Sequence, residues 1–302
     1  MIGALKNEST GGRSMSDEIV DIAVIGGGPA GLSAALTGRI RNKKVLLFEH
    51  VDFSVKLQKA HIVDNYLGMP QITGKGMMQQ FLAHCSAHKP TILKEKIVAI
   101  FPGDEAFTLL TPSATYQARA VIIATGVVAT ALFGGEKEFL GRGVSYCATC
   151  DGMMYKGKDV AVISYTNEGE QEAGYLSELC RTVYYLPQYK EVPALRSNIK
   201  VLYDKPQTIS GDVVVEKLKM SKEELHVHGV FIIRLSDPVE NILPGLVLDG
   251  EVIKVNRDMS TSIPGVFAAG DCTGKPWQIA KATGEGLVAM LSAIAYLGNK
   301  DK

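Results

Sequence analysis

A strand-length apolar run that breaks into glycines constrains this chain more than any other stretch. Residues 21–25 read Asp-Ile-Ala-Val-Ile and lead into Gly26-Gly27-Gly28-Pro29-Ala30-Gly31. Residues 32–36, Leu-Ser-Ala-Ala-Leu, then read as helix, and residues 44–49 read as a second strand ending on Glu49. Strand, G-x-G-x-x-G turn, helix, strand and terminal acid together make a dinucleotide-binding βαβ unit. Gly26 permits the tight turn, Gly28 lets a pyrophosphate approach bare backbone, and Gly31 lets the helix lie close to the strand. The helix N-terminus, entered through Pro29 and Ala30, offers free N–H groups to phosphate. Glu49 is placed to accept hydrogen bonds from a ribose. A glycine-rich turn without a ligand would not need the rest of this context.

The same architecture recurs. Residues 158–163 read as a strand, 169–180 as a helix and 182–186 as another strand. The expected fold class is therefore α/β with two Rossmann-like units, the second inserted in the first. Three hundred and two residues suffice for two domains, each with its own core. The expected division is a flexible extension over 1–16, a nucleotide domain from 17–129 and 250–302, and a smaller central domain over 130–249. Thirty-two basic residues balance thirty-two acidic ones, so no bulk attraction to nucleic acid or membrane is implied. The longest apolar stretch, 287–297, is too short to span a bilayer. An odd cysteine count, five, argues against a disulfide-stapled secreted scaffold, and the expected location is cytoplasmic.

Cys147-Ala-Thr-Cys150-Asp151 carries the chemistry of the central segment. Two cysteines separated by two residues can cycle between dithiol and disulfide, with Asp151 as a proton relay. A CxxC can also be half of a zinc site, or incidental; zinc needs about four ligands, and Cys85, Cys180 and Cys272 are scattered singly.

Context decides among these. Gly26–Gly31, Thr125-Gly126 after the strand 120–124, and Gly270-Asp271 after residues 262–269 together resemble the FAD-binding fold of the two-dinucleotide-domain flavoproteins. The stretch 141–152, Gly-Arg-Gly-Val-Ser-Tyr-Cys-Ala-Thr-Cys-Asp-Gly, is similar to the low-molecular-weight thioredoxin reductases, as is 261–271. The resemblance runs from about residue 18 to the end. It implies a pyridine nucleotide-disulfide oxidoreductase class II-like fold with one FAD per chain, a central NADPH-domain-like domain carrying the disulfide, thioredoxin as partner and a homodimer. It further implies Cys150 as the flavin-proximal sulfur, Cys147 as the sulfur that exchanges with thioredoxin, and Asp151 as the acid. Asp271 would contact the ribityl and pyrophosphate region. Asn65, in the turn Asp64-Asn-Tyr-Leu-Gly68, and Gln278-Ile279 would meet the flavin.

The departures are as informative. NADPH-binding relatives carry a second G-x-G-x-x-A, and here that place reads Ser164-Tyr-Thr-Asn-Glu-Gly169. The turn glycines are gone, and Glu168 and Glu170 each oppose a pyrophosphate by roughly 0.3–1 kcal/mol. Residues 186–189, Leu-Pro-Gln-Tyr, hold no arginine for a 2′-phosphate. These losses argue against NADPH and resemble the ferredoxin-dependent flavin thioredoxin reductases, with reduced ferredoxin as donor. Alternatives are a diflavin-linked disulfide oxidoreductase, an NADPH enzyme with a divergent site, and a flavin-bound redox sensor. In the diflavin case Tyr146, Tyr155 or Tyr165 would be exposed stacking platforms. Trp277, where relatives have arginine, is expected to pack. His84 and His88 read as surface residues rather than metal ligands, His226 and His228 as exposed, and Cys85, Cys180 and Cys272 as small buried side chains.

Overall fold

The computed structural model describes residues 18–50, 53–126, 133–189, 192, 195–234 and 239–301, with backbone only at 55, 56, 150 and 240. The expected extension over 1–16 and the first expected domain boundary, at 129/130, lie outside the described residues. The chain divides into two compact units, one made of Met1–Gly126 with Ile242–Lys302, the other of Val127–Asn241.

The first unit opens with β1 (Ile19–Ile25), α1 (Pro29–Ile40), β2 (Val45–Phe48), α2 (Val55–Gln58), α3 (Gly74–Ala87), β3 (Thr91–Leu93), β4 (Ala99–Phe101), β5 (Phe107–Leu110) and β6 (Thr115–Ile123). Its sheet runs β3-β2-β1-β6-β5-β4. β1 lies parallel to β2 and β6, with Val24 opposite Leu47 and Ile122. Ile22, Ala23, Val24, Leu47, Val121 and Ile122 are fully buried, as expected of parallel strands covered on both faces.

The inserted unit follows as β7 (Val144–Ser145), α4 (Ala148–Asp151), β8 (Asp159–Ser164), α5 (Glu168–Leu179), β9 (Thr182–Pro187), β10 (Ile199–Val201), β11 (Pro206–Gly211), β12 (Val215–Met220), β13 (Glu224–His226) and β14 (Gly229–Ile233), then α6 (Val239–Ile242) at the seam. Its parallel sheet has the order β10-β9-β8-β14-β7, beside an antiparallel β11-β12-β13 sheet. Alternation along β8 and β14 feeds two cores. Ala161, Ile163, Val230 and Ile232 join one, and Val160, Val162, Phe231 and Ile233 the other.

The chain re-enters the first unit through β15 (Leu248–Asp249), β16 (Val252–Ile253), β17 (Val266–Ala268) and α7 (Ile279–Lys300). β17 pairs parallel to β6. The second seam falls at Asn241/Ile242, before the expected boundary at 249/250. Residues preceding 250 are tied to the first unit by the β15–β16 hairpin and by the Val247 N–H, which donates to Ser262 Oγ at 3.0 Å. The strand ahead of Gly270-Asp271 is confined to Val266–Ala268, because Gly265 adopts φ +83° and Val266 N–H folds back onto Ile263 O. No helix among the described residues is long and apolar enough to cross a membrane.

Candidate active site

In the first unit, the predicted nucleotide residues gather where β1, β6 and β17 end. Gly26 has φ +105°, and a Cβ there would lie 2.4 Å from Ala124 O. A Cβ on Gly31 would lie 1.8 Å from Gly26 O, so the helix start is sealed onto the turn by bare backbone. Gly28, extended and capping α1 ahead of Pro29, has nothing within 4 Å of its would-be Cβ. Packing does not require glycine there, and the space in front is open to a ligand. Gly126, at φ +74° after Thr125, likewise has nothing within 4 Å of its would-be Cβ among the described residues. Gly270, at φ +90°, sits against Ala30, with a would-be Cβ 2.9 Å from Ala30 Cβ. Asp271 opens the 3₁₀ turn Asp271–Thr273.

Glu49 is buried, and its Oε2 accepts the Gly27 N–H at 2.8 Å. One carboxylate oxygen therefore braces the glycine turn itself, in addition to the ribose role expected from sequence. His50 Nδ1 lies 3.9 Å from Oε1, but burial, then Lys96, pull the imidazole pKa down to about 4. It is neutral at pH 7, so this approach is not an ion pair. Asn65 Nδ2 donates to Gln278 Oε1 at 2.9 Å, joining two predicted flavin contacts 213 residues apart. Gln278 caps α7 ahead of Ile279, and its own N–H is taken by Pro276 O at 2.9 Å.

In the second unit, Cys147 is disulfide-bonded, whereas Cys85, Cys180 and Cys272 are buried free thiols. Burial pushes those three up to about 11, 11 and 12, which leaves them poor nucleophiles. The side chain of Cys150 lies outside the described residues. Ser145 Oγ accepts the Cys147 N–H at 3.1 Å, and Ala148 N–H donates to Glu172 Oε2 at 3.1 Å. Tyr146 O–H donates to Glu136 Oε1 at 2.7 Å. Glu136 is in turn paired with Arg234 through both carboxylate oxygens, with Nη2 to Oε2 at 2.8 Å. Asp151 is half-buried, and its N–H reaches Cys147 O at 3.3 Å.

The exit of β8, where a second nucleotide turn would stand, is filled by the chain's own side chains. Ser164 O–H donates to Thr166 O at 2.6 Å, and a Cβ on Gly169 would lie 2.1 Å from Ser164 Oγ. Tyr165 stacks on Phe133 at 6.5 Å and 21°, with the Arg234 guanidinium 5.4 Å and 5.9 Å from the Phe133 and Tyr165 ring centres. Tyr189 O–H donates to Glu170 Oε1 at 2.6 Å. Carboxylates of Glu168 and Glu170 occupy the first turn of α5.

Two expectations about aromatic residues are corrected. Tyr155 is buried, because its ring covers bare Gly229 and packs edge-on to Phe231 at 5.3 Å. Tyr146 and Tyr165 are half-buried with partners of their own, so none of the three is an exposed platform. Trp277 is not packed away: it is 49% exposed, with Lys275 Nζ 5.5 Å from its ring centre. His84 and His88 are exposed and pack edge-on at 5.8 Å; His226 and His228 are exposed. Among the described residues no group of three or more His, Cys, Asp or Glu could hold a metal ion.

Residues 20–286 match the family described as pyridine nucleotide-disulphide oxidoreductase. The thioredoxin reductase of Mycoplasma pneumoniae is 31% identical over 91% of this chain and 94% of its own length. This chain belongs to the thioredoxin reductases. A ferredoxin-flavin thioredoxin reductase structure from Clostridium acetobutylicum is 45% identical, with a TM-score of 0.88 over 94% of this chain and 99% of that one. A thioredoxin reductase from Gloeobacter violaceus superposes with a TM-score of 0.80 at 26% identity, over 94% and 95% of the two chains.

As a thioredoxin reductase the chain is a disulfide oxidoreductase, and family membership implies FAD binding. The first unit fits that group: a side-chain-free turn, open space over Gly28 and Gly126, and the N-terminus of the twelve-residue α1 are what a pyrophosphate requires.

Sequence reasoning missed the brace behind Gly270. Glu285 Oε2 accepts the Gly270 N–H at 2.9 Å and the Thr273 hydroxyl at 2.8 Å, while Lys281 Nζ donates to Gly270 O and Gly274 O at 2.8 Å and 2.7 Å. The i,i+4 spacing of Lys281 and Glu285, both on α7, was the one signal in the sequence. Replacing Glu285 by alanine removes charge-assisted bonds worth about 1.5–3 kcal/mol. FAD affinity is expected to fall about tenfold or more. Flavin fluorescence titration of the apoprotein checks this, and an unchanged Kd would remove Glu285 from the site.

Proposed function

We propose that this thioredoxin reductase takes electrons from reduced ferredoxin instead of NADPH, and reduces thioredoxin through a Cys147–Cys150 pair. The observation that carries the reading is the closed exit of β8. A dinucleotide needs bare N–H groups and room at the start of α5. Here Ser164, Tyr165 and the Tyr189–Glu170 bond take the room, and two acids take the phosphate position. The 45% identity to a protein described as a ferredoxin-flavin thioredoxin reductase supports the same donor.

One FAD per chain would be held by Gly26, Gly28 and Gly31 and the α1 N-terminus at its pyrophosphate, by Glu49 at a ribose, and by Asp271, Asn65, Gln278 and Ile279 toward the flavin. When bound, it supplies the capacity to take electrons singly and give them as a pair. In the reduced protein, the Cys147 thiolate attacks one sulfur of the thioredoxin disulfide. A mixed disulfide forms and one thioredoxin thiolate leaves. The Cys150 thiolate then attacks Cys147 Sγ, which restores the internal disulfide and releases the second thioredoxin thiolate. Asp151 would hand protons to and from these sulfurs. A homodimer belongs to this reading, and the exposed Leu287, Val288 and Leu291 on one face of α7 are an apolar surface suited to a second copy. So does a cytoplasmic location, where thiols are kept reduced.

The test is anaerobic. Reduced ferredoxin is expected to bleach the flavin and release thioredoxin thiols, while NADPH at the same electron equivalents leaves the absorbance unchanged. Rapid bleaching by NADPH alone would overturn the reading. Two flavins per chain, measured on the purified protein, would favour a diflavin enzyme instead.

A further inference from the structure

Three consecutive residues of the redox turn are each held by a different side chain: Tyr146 by Glu136, Cys147 by Ser145, and Ala148 by Glu172. The first two are explained by a buried ion pair and a local turn. The third brings a carboxylate from α5, 24 residues away in sequence, onto the amide that follows Cys147. Ala148 is fully buried, so this N–H needs an acceptor from the protein, and Glu172 Oε2 provides it at 3.1 Å. A neutral acceptor would satisfy the amide equally well, so the charge calls for its own account.

We infer that Glu172 is a positioning residue of the redox turn, acting on Cys147 through the Ala148 amide and through its own negative charge. The inference rests on the reading of Cys147 as the exchanging sulfur and adds what sets its ionisation. In the reduced protein an ionised Glu172 opposes a thiolate on the neighbouring residue, so the thiol keeps its proton to higher pH. Among the described residues, the titratable and charged groups about the turn include Asp151 within it, Tyr146 with the Glu136–Arg234 pair, Tyr155 with Lys158, and Tyr175 and Cys180 from the α5 side; the Cys150 thiol is the further titrating group of the reduced turn.

The test reads the sulfur directly. The whole flavoprotein is reduced with dithiothreitol, freed of reductant anaerobically, and alkylated with iodoacetamide between about pH 5 and pH 10. Modification of the Cys147 peptide is followed by mass spectrometry. In Glu172→Gln the side-chain oxygen still accepts the Ala148 N–H but the charge is gone. The alkylation midpoint is expected to fall by about one pH unit, and the rate at pH 7 to rise severalfold. Glu172→Ala, which also loses the acceptor, is expected to lower the melting temperature as well. Glu178→Gln, on the same helix but paired with Arg196 at the surface, is expected to leave the midpoint in place. A Glu172→Gln midpoint within about 0.2 unit of the parent, or above it, overturns the inference whatever the melting temperature does. Alkylation needs neither ferredoxin nor thioredoxin, so failure here is distinguishable from failure of the functional reading, which the donor assay decides.

Discussion

Cys147→Ser is expected to lower thioredoxin turnover by at least about 10³-fold, the scale on which removing an essential nucleophile acts, while the flavin spectrum is retained. In the proposed mechanism this sulfur is the nucleophile of exchange, and a serine hydroxyl at neutral pH neither attacks a disulfide nor leaves from one. No other described cysteine can substitute, because Cys85, Cys180 and Cys272 are buried and their thiols are held protonated. Flavin retention follows from the arrangement of the first unit, where the glycine turn, Glu49 and the Gly270 brace are complete without residue 147. Ferredoxin-driven thioredoxin reduction, monitored as free thiols, is the measurement, with flavin content determined on the same preparation. Turnover within about tenfold of the parent would sink the exchange mechanism and return the CxxC to a structural role.

Arg234→Leu carries the second large effect, on stability. Arg234 and Glu136 are 2% and 0% exposed and pair through both carboxylate oxygens. Burial works against the charge on Arg234; the hydrogen bonds and charge of Glu136 outweigh it and hold the guanidinium pKa above its ordinary value. Removing the guanidinium leaves a buried carboxylate with the Tyr146 hydroxyl and the Phe133 amide among its remaining partners. Breaking a buried pair from one side costs about 3–5 kcal/mol. The inserted unit is therefore expected to melt roughly 12–20 °C lower. Glu136→Leu combined with Arg234→Leu should recover much of that loss, because no uncompensated charge remains. Calorimetry on both variants checks the argument; a single variant that loses under about 1 kcal/mol would mean the pair is solvated in solution. The same substitution removes the clamp on Glu136, to which Tyr146 next to Cys147 donates, so thioredoxin turnover below the melting transition is also expected to fall.

The nucleotide turn was legible because its signals are local. A glycine needed at φ +105°, another needed where a Cβ would strike a carbonyl at 1.8 Å, and an apolar run feeding them all sit within a few residues of each other. Both Rossmann-like units were legible for the same reason: fully buried parallel strands leave continuous apolar runs. The CxxC and the degraded second fingerprint were equally visible as residue types at fixed spacing. Glu136–Arg234, 98 residues apart, left no such trace. Neither did Glu172 on Ala148, nor Glu285 on Gly270, since any of the chain's other acids would have read the same. Tyr155 misled because exposure depends on what lies opposite the ring, and bare Gly229 made the room for it.

By itself, then, the amino-acid sequence determined the α/β architecture, the glycine turn after β1 and the CxxC spacing, because backbone conformation and thiol chemistry depend on residue type and short spacing. Tertiary structure alone decided which carboxylates brace the two glycine exits, which acid lies on the redox turn, and that the exit of β8 is filled. Those outcomes depend on which side chains are brought within about 3 Å, a condition set by strand register and helix packing and carried by no local pattern.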